Sequence, residues 1–89
     1  MRKEQFYYNA ELYERCTLTK ARQAYNAGGT VILAPINASM HHGINSLWMP
    51  VQKDFYSCKG CTFKQVLNNF EYYNLHQGAG NYTKYFIQR

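Results

Sequence analysis

Apolar positions recur at helical spacing most clearly in the segment 62–74. The predicted apolar stripe consists of Phe63, Val66, Leu67, Phe70, Tyr73 and Asn74. The positions expected to face water are Lys64, Gln65, Asn68, Asn69 and Glu71. Thr62 and Gln65 have the spacing of a capping box, in which each residue satisfies a backbone N–H of the other. The pattern therefore predicts a helix over about 62–74.

A second helix is predicted over about 18–27. Leu18, Ala21 and Tyr25 fall on one face of it, and Thr17 or Thr19 is the expected N-cap. Gly28-Gly29 follows directly, and glycine just past a helix tolerates the left-handed conformation that ends it.

Strand patterns occupy much of the remaining chain. The apolar run 30–36 predicts a buried strand, and Pro35 requires that this strand end there or run along a sheet edge. Alternation within 50–57 predicts a short strand, and the aromatic segment 82–87 predicts another. The polar segment 37–48 is predicted to be a long loop.

The first 16 residues fit two interpretations. Phe6, Ala10, Tyr13 and Cys16 recur at helical spacing, with Asn9 as a possible cap, whereas 5–8 alone also has strand character. The predicted fold is α+β, with a small antiparallel or mixed sheet of about two to four strands and both helices on one face. The whole chain, 1–89, is expected to form one domain.

The charge balance favours an anionic partner. Ten Lys and Arg residues against five Asp and Glu residues give a net charge of +5. No apolar run reaches the roughly 18 residues needed to cross a bilayer. The start of the chain has no apolar signal core, so we expect a cytoplasmic protein without a membrane partner.

Aromatic residues are more numerous than so small a core needs. The chain has nine Tyr, five Phe and one Trp. Strand preference accounts for part of this number, but exposed Tyr is also typical of protein interfaces and of base-stacking surfaces. The candidate partner-binding residues are Tyr7, Tyr8, Trp48, Lys53, Tyr56, Lys59, Tyr82 and Tyr85.

Cys58 and Cys61 form a Cys-x-x-Cys motif with several interpretations. A zinc site would need two further ligands, for which His41 and His42 are candidates, and Cys16 and His76 are alternatives. A redox pair just before a helix is a second interpretation. The favoured interpretation is two reduced cysteines, with Cys61 packed against Val66. We therefore expect no cofactor.

Catalysis would depend on few residues. His41 or His42 as general base, with Lys53 or Lys84 on a scissile phosphate, would supply a small toxin-type endoribonuclease. No further catalytic partner is fixed by spacing, because adjacent histidines project in different directions. The expectation is that the chain is not an enzyme and has no catalytic residues.

Several segments together resemble short uncharacterised proteins of bacteriophages and mobile elements. They are Ala21-Arg22-x-Ala24-Tyr25-x-x-Gly28, Val31-Ile32-Leu33-x-Pro35, Trp48, Phe63 to Asn74, and Gly80 to Ile87. Such proteins include anti-CRISPR inhibitors, which are small, non-enzymatic and act by occluding a surface of a nuclease complex. The resemblance implies that the partner is a host protein or ribonucleoprotein. The alternative is direct nucleic-acid binding through Lys53, Lys59 and Lys64, with neighbouring aromatic residues.

Overall fold

The sheet contains every strand of the computed structural model, which describes residues 4–36, 48–74 and 83–88. The elements in chain order are β1 (Gln5–Tyr8), β2 (Glu11–Cys16), α1 (Leu18–Asn26), β3 (Val31–Pro35), β4 (Met49–Val51), a 3-10 turn (Tyr56–Cys58), α2 (Phe63–Asn74) and β5 (Thr83–Gln88). The strands form one curled antiparallel sheet with the order β1-β2-β5-β3-β4. The α+β prediction is confirmed. The predicted number of strands is wrong, since the described residues contain five.

Both helices begin at side-chain caps that the sequence predicts. The Lys20 N–H donates to Thr17 Oγ1 over 3.2 Å at the start of α1. At α2 the capping box is complete, because Thr62 N donates to Gln65 Oε1 over 2.8 Å and Gln65 N donates to Thr62 Oγ1 over 3.2 Å. Gly28 follows α1 with a φ of +89°, the left-handed conformation expected there.

The two helices cover the same face of the sheet. Residues of both helices and of β3, β4 and β5 form one buried cluster there, and it consists of Ala21, Tyr25, Val31, Leu33, Val51, Cys58, Phe63, Val66, Leu67, Phe70 and Tyr85. The placement of both helices on one face agrees with the sequence prediction.

The N-terminal segment is a β-hairpin, so the helical interpretation of it is wrong. Phe6 of β1 lies directly opposite Tyr13 of β2, and Tyr8 lies opposite Glu11. Asn9 and Ala10 between them have φ values of 51° and 65°, which define a two-residue turn of type I′. The recurrence of Phe6 and Tyr13 therefore reflects antiparallel pairing across this turn.

The opposite face of the sheet has an aromatic core of its own. The buried members of this aromatic core are Phe6, Tyr13, Ile32, Ala34, Trp48 and Phe86. The rings of Trp48 and Phe86 stack with centroids 5.4 Å apart. The Lys84 ammonium lies 5.6 Å from the Trp48 ring centroid, and it donates to Glu4 Oε2 over 2.8 Å. Aromatic residues are thus used to bury both faces.

Two further expectations need correction or refinement. The sequence predicts that Glu71 faces water, but Glu71 is 0 % exposed, since it follows Leu67 by one helical turn. Its carboxylate accepts a hydrogen bond from Thr83 Oγ1. Pro35 ends β3, as the sequence predicts, but β3 lies inside the sheet and not at an edge. The edge strand on that side is β4, which carries Pro50.

Candidate functional site

The predicted partner-binding residues separate into buried and exposed groups. Trp48 is 4 % exposed and Tyr85 is 6 % exposed, so the expectation that these two rings contact a partner is corrected. Trp48 packs in the aromatic core and Tyr85 packs beneath the helices. Tyr8 is half-buried, with its ring 5.9 Å from that of Tyr13. These three aromatic side chains therefore pack in the two hydrophobic cores on either face of the sheet.

The other predicted contacts remain at the surface. Tyr56 is 95 % exposed and Tyr7 is 72 % exposed, and Lys53 and Lys59 are exposed as well. Tyr82 lies outside the described residues. Three of the four exposed residues belong to one segment, the connection between β4 and α2.

We call this connection, residues 52–62, the basic loop. Its surface carries Lys53, Phe55, Tyr56 and Lys59, so two adjacent aromatic rings have a lysine on each side in the sequence. Asp54 is the acidic residue of the loop. The combination of exposed rings with exposed ammonium groups is typical of surfaces that bind nucleic acids.

Successive backbone hydrogen bonds hold the basic loop in a series of turns. Phe55 N donates to Gln52 O over 2.9 Å, Cys58 N donates to Phe55 O over 2.9 Å, and Cys61 N donates to Cys58 O over 3.0 Å. Gly60 has a φ of +76°, which permits the last of these turns without strain from a side chain. The exposed rings are therefore carried by an ordered segment.

Side-chain hydrogen bonds attach the basic loop to α1 and to the connection between α1 and β3. The buried Tyr25 hydroxyl donates to Cys61 O over 3.0 Å and approaches Cys58 O at 3.4 Å. Gln52 Nε2 donates to Gly28 O over 3.2 Å, and Thr30 Oγ1 donates to Gln52 Oε1 over 3.2 Å. Burial raises the pKa of Tyr25 above its ordinary value of 10.0, so its hydroxyl remains a donor at neutral pH.

A cleft with a volume of about 450 Å³ opens between α1, the basic loop and the start of α2. Its lining includes three cationic side chains, Arg22, Lys53 and Lys64, and no acidic one. The ion pairs described in the structure join Glu4 to Arg15 and to Lys84, and none involves the cations of the cleft. The cleft is therefore a region of positive potential whose charge is not neutralised by the described side chains.

Most of the acidic side chains lie away from the cleft and the basic loop. Glu4, Glu11 and Glu14 lie on or beside the β1–β2 hairpin, where they accept hydrogen bonds from neighbouring side chains. Glu71 is enclosed between α2 and β5. Because these carboxylates are distant from the cations of the cleft, an excess of positive charge remains on the side of the molecule that carries the cleft and the basic loop.

The cysteine motif contributes to packing in the described structure. Cys58 and Cys61 are free thiols, and Cys58 is buried in the cluster that contains Val66, whereas the partly buried Cys61 packs against that cluster. Residues 4–36, 48–74 and 83–88 contain no group of three His, Cys, Asp or Glu side chains arranged for a metal ion. His41 and His42, the other proposed zinc ligands and the proposed ribonuclease bases, lie outside the described residues, as does His76.

Sequence reasoning missed Arg22 as a member of this surface, and it included Phe55 only as an unnamed aromatic neighbour of the lysines. Arg22 and Asn26 are one helical turn apart on the polar face of α1, and both line the cleft. That spacing was a usable signal, but it does not reveal that the start of α2 lies opposite. The approach of α1 to α2 depends on the buried contacts of Tyr25 and Phe63, whose ring centroids are 5.4 Å apart.

Comparisons with protein-family models, with curated proteins and with solved structures found no match for this chain. In the described part of the chain, neither helix has the length and apolar character needed to cross a bilayer. Arguments about function therefore start from the geometry of the basic loop and the cleft.

Proposed function

We propose that this chain is a binding protein without catalytic machinery of its own, and that its partner is a nucleic acid, free or within a ribonucleoprotein. The observation that supports this most directly is the grouping of Arg22, Lys53, Lys59 and Lys64. These four cations lie on the cleft or the basic loop, and the described side chains provide no ion-pair partner for them. Such a grouping binds phosphates by releasing their condensed counterions.

The exposed rings support the same partner. Phe55 and Tyr56 lie between Lys53 and Lys59 in the sequence, and both rings are exposed. Side chains of this type bind the bases and the backbone of a nucleic acid together, because rings stack on bases while ammonium groups contact phosphates. A purely structural role would not require two large adjacent rings to face solvent on an ordered loop.

The test is the salt dependence of binding to labelled oligonucleotides. Contacts from the four cations should give a slope of log affinity against log salt of about −3 to −4, since each neutralised phosphate contributes about −0.7 to −0.9. Lys53→Ala and Lys64→Ala should each weaken binding and reduce the slope by about 1. Lys20→Ala is the matched control, because Lys20 is an exposed cation of α1 outside the cleft lining. Absence of binding at low salt, or equal effects of all three variants, would refute the proposal.

A second candidate function is the inhibitor role implied by the resemblance to anti-CRISPR proteins, in which a protein surface of a host nuclease complex is occluded. The observation that favours it is Tyr7, which is 72 % exposed on the edge strand β1. An edge strand with an exposed ring suits protein docking, since its outer backbone groups are not paired within the sheet. The test is phage plaque formation on bacteria with an active CRISPR system that express the protein. Restored plaques that are lost with Tyr7→Ala but kept with Lys53→Ala would favour the protein partner.

A further inference from the structure

We infer that the nucleic acid bound by the basic loop is single-stranded, with one base stacked on the ring of Tyr56 and the adjoining sugar–phosphate unit seated in the cleft. This inference depends on the proposed function, since it specifies the class of nucleic acid that the same surface takes. It is supported by the exposure of the ring, by the positions of the lysines around it and by the size of the cleft.

The ring of Tyr56 is available for stacking. It is 95 % exposed, so it contributes almost no buried surface to the protein itself. The turns of the basic loop and the hydrogen bond from Tyr25 to Cys61 O hold the backbone that carries it. In a duplex the faces of each base are covered by the neighbouring bases, whereas a single strand presents a base whose face is free. A preformed exposed ring therefore favours an unpaired strand.

Two lysines lie close enough to Tyr56 in the chain to contact the phosphates next to the stacked base. Lys53 is three residues before Tyr56 and Lys59 is three residues after it. Their Cα atoms therefore lie within about 11 Å of the Tyr56 Cα, the greatest reach of three residues. The long lysine side chains can reach the backbone of a strand whose base rests on the ring. This arrangement combines a stacking surface with two nearby positive charges.

The cleft continues this surface. Lys53 and Gly60, which stand near the two ends of the basic loop, both line the cleft, so the loop that carries Tyr56 borders the cleft. The volume of about 450 Å³ lies at the lower end of the range typical of small-molecule sites, which suits one nucleotide unit. Arg22 and Lys64 would contact its phosphate there, and Arg22 can do so with two parallel hydrogen bonds.

The experiment measures fluorescence anisotropy at one fixed low salt concentration, with three labelled probes of equal length. The probes are a 20-residue oligodeoxyuridylate, a 20-residue oligouridylate and a 20-base-pair DNA duplex. We expect both single strands to bind more tightly than the duplex. The comparison of the two single strands identifies whether the sugar matters, because only the RNA carries 2′-hydroxyl groups.

Variants of exposed tyrosines test the stacking contact. Tyr56→Ala should weaken single-strand binding about 5- to 150-fold, whereas Tyr56→Phe, which keeps the ring, should retain it. Tyr72→Ala is the matched control, since it removes an exposed ring of α2 that lies outside the basic loop and outside the cleft lining, and it should leave affinity unchanged. Thermal unfolding of each variant checks that the fold is kept.

The outcomes separate this inference from the proposal on which it rests. Duplex binding as tight as single-strand binding, or an unchanged affinity for Tyr56→Ala, would overturn the single-strand inference and leave nucleic-acid binding standing. Failure of all three probes to bind would overturn both. Equal losses from Tyr56→Ala and Tyr56→Phe would also contradict stacking, because the phenylalanine ring offers the same face.

Discussion

Tyr25→Phe tests the contact that attaches the basic loop to the helical layer. The substitution removes one oxygen atom from a buried ring and leaves the ring packing in place. The hydroxyl donates to Cys61 O over 3.0 Å and approaches Cys58 O at 3.4 Å. Cys58 O also accepts from Cys61 N, so the main loss falls on the carbonyl of Cys61.

The expected loss of folding free energy is about 1–3 kcal/mol, the usual cost of leaving a buried polar group without its partner. Partial exposure of Cys61 places the effect towards the lower part of that range. For a domain of this size, each kcal/mol lowers the melting temperature by about 4–8 °C. The measurement is thermal and urea unfolding, followed by circular dichroism.

Tyr7→Phe is the matched control, because it removes the hydroxyl of an exposed tyrosine and should change stability by less than about 0.5 kcal/mol. Equal stability of Tyr25→Phe and the wild type would refute the reasoning. If the hydrogen bond from Tyr25 also orders the basic loop, Tyr25→Phe should weaken nucleic-acid binding at temperatures well below its unfolding transition.

Two further predictions concern the turn of the β1–β2 hairpin and the ion pair between Glu4 and the buried Lys84. Ala10→Gly should stabilise the protein by about 0.5–1 kcal/mol in urea unfolding, because alanine occupies a left-handed position in the turn. Ala24→Gly inside α1 should instead destabilise it by about 1 kcal/mol, and a loss at both positions would contradict the turn assignment. Burial raises the pKa of Glu4, but the hydrogen bonds and charges of Lys84 and Arg15 lower it by a larger amount. The pKa of Glu4 therefore lies below its ordinary value of 4.5. The contribution of Glu4 to the free energy of unfolding should be complete above pH 4.5 and lost as pH falls through the lowered pKa. Glu4→Gln should flatten the dependence of stability on pH in that range. If the acid part of the pH–stability curve is the same in Glu4→Gln and the wild type, this role of Glu4 is excluded.

Local sequence signals predicted the helices well. Thr62 and Gln65 predict the capping box because both partners lie within one turn of chain. The N-terminal hairpin was not predicted, since Asn9-Ala10 lacks the glycine that most type I′ turns carry. Helical spacing in that segment arose by coincidence of strand length and turn length.

The candidate site was only partly predictable, because its members meet through tertiary contacts. Lys53, Tyr56 and Lys59 were singled out for their residue types, and their exposure could not be read from the sequence. Trp48 shows the limit of that reasoning, since a tryptophan beside a long polar segment is buried against rings from two different strands, β1 and β5. A local sequence pattern cannot predict contacts between side chains that lie so far apart in the chain.

The position of β5 in the sheet has a consequence for synthesis on the ribosome. This strand, Thr83–Gln88, pairs with both β2 and β3, so it is the only link between the hairpin and the β3–β4 pair among the described backbone contacts of the sheet. The emerging polypeptide therefore cannot complete one continuous sheet until its final described strand leaves the exit tunnel. A premature stop codon before residue 83 should yield a product that proteases remove quickly, even though it retains both helices and four strands.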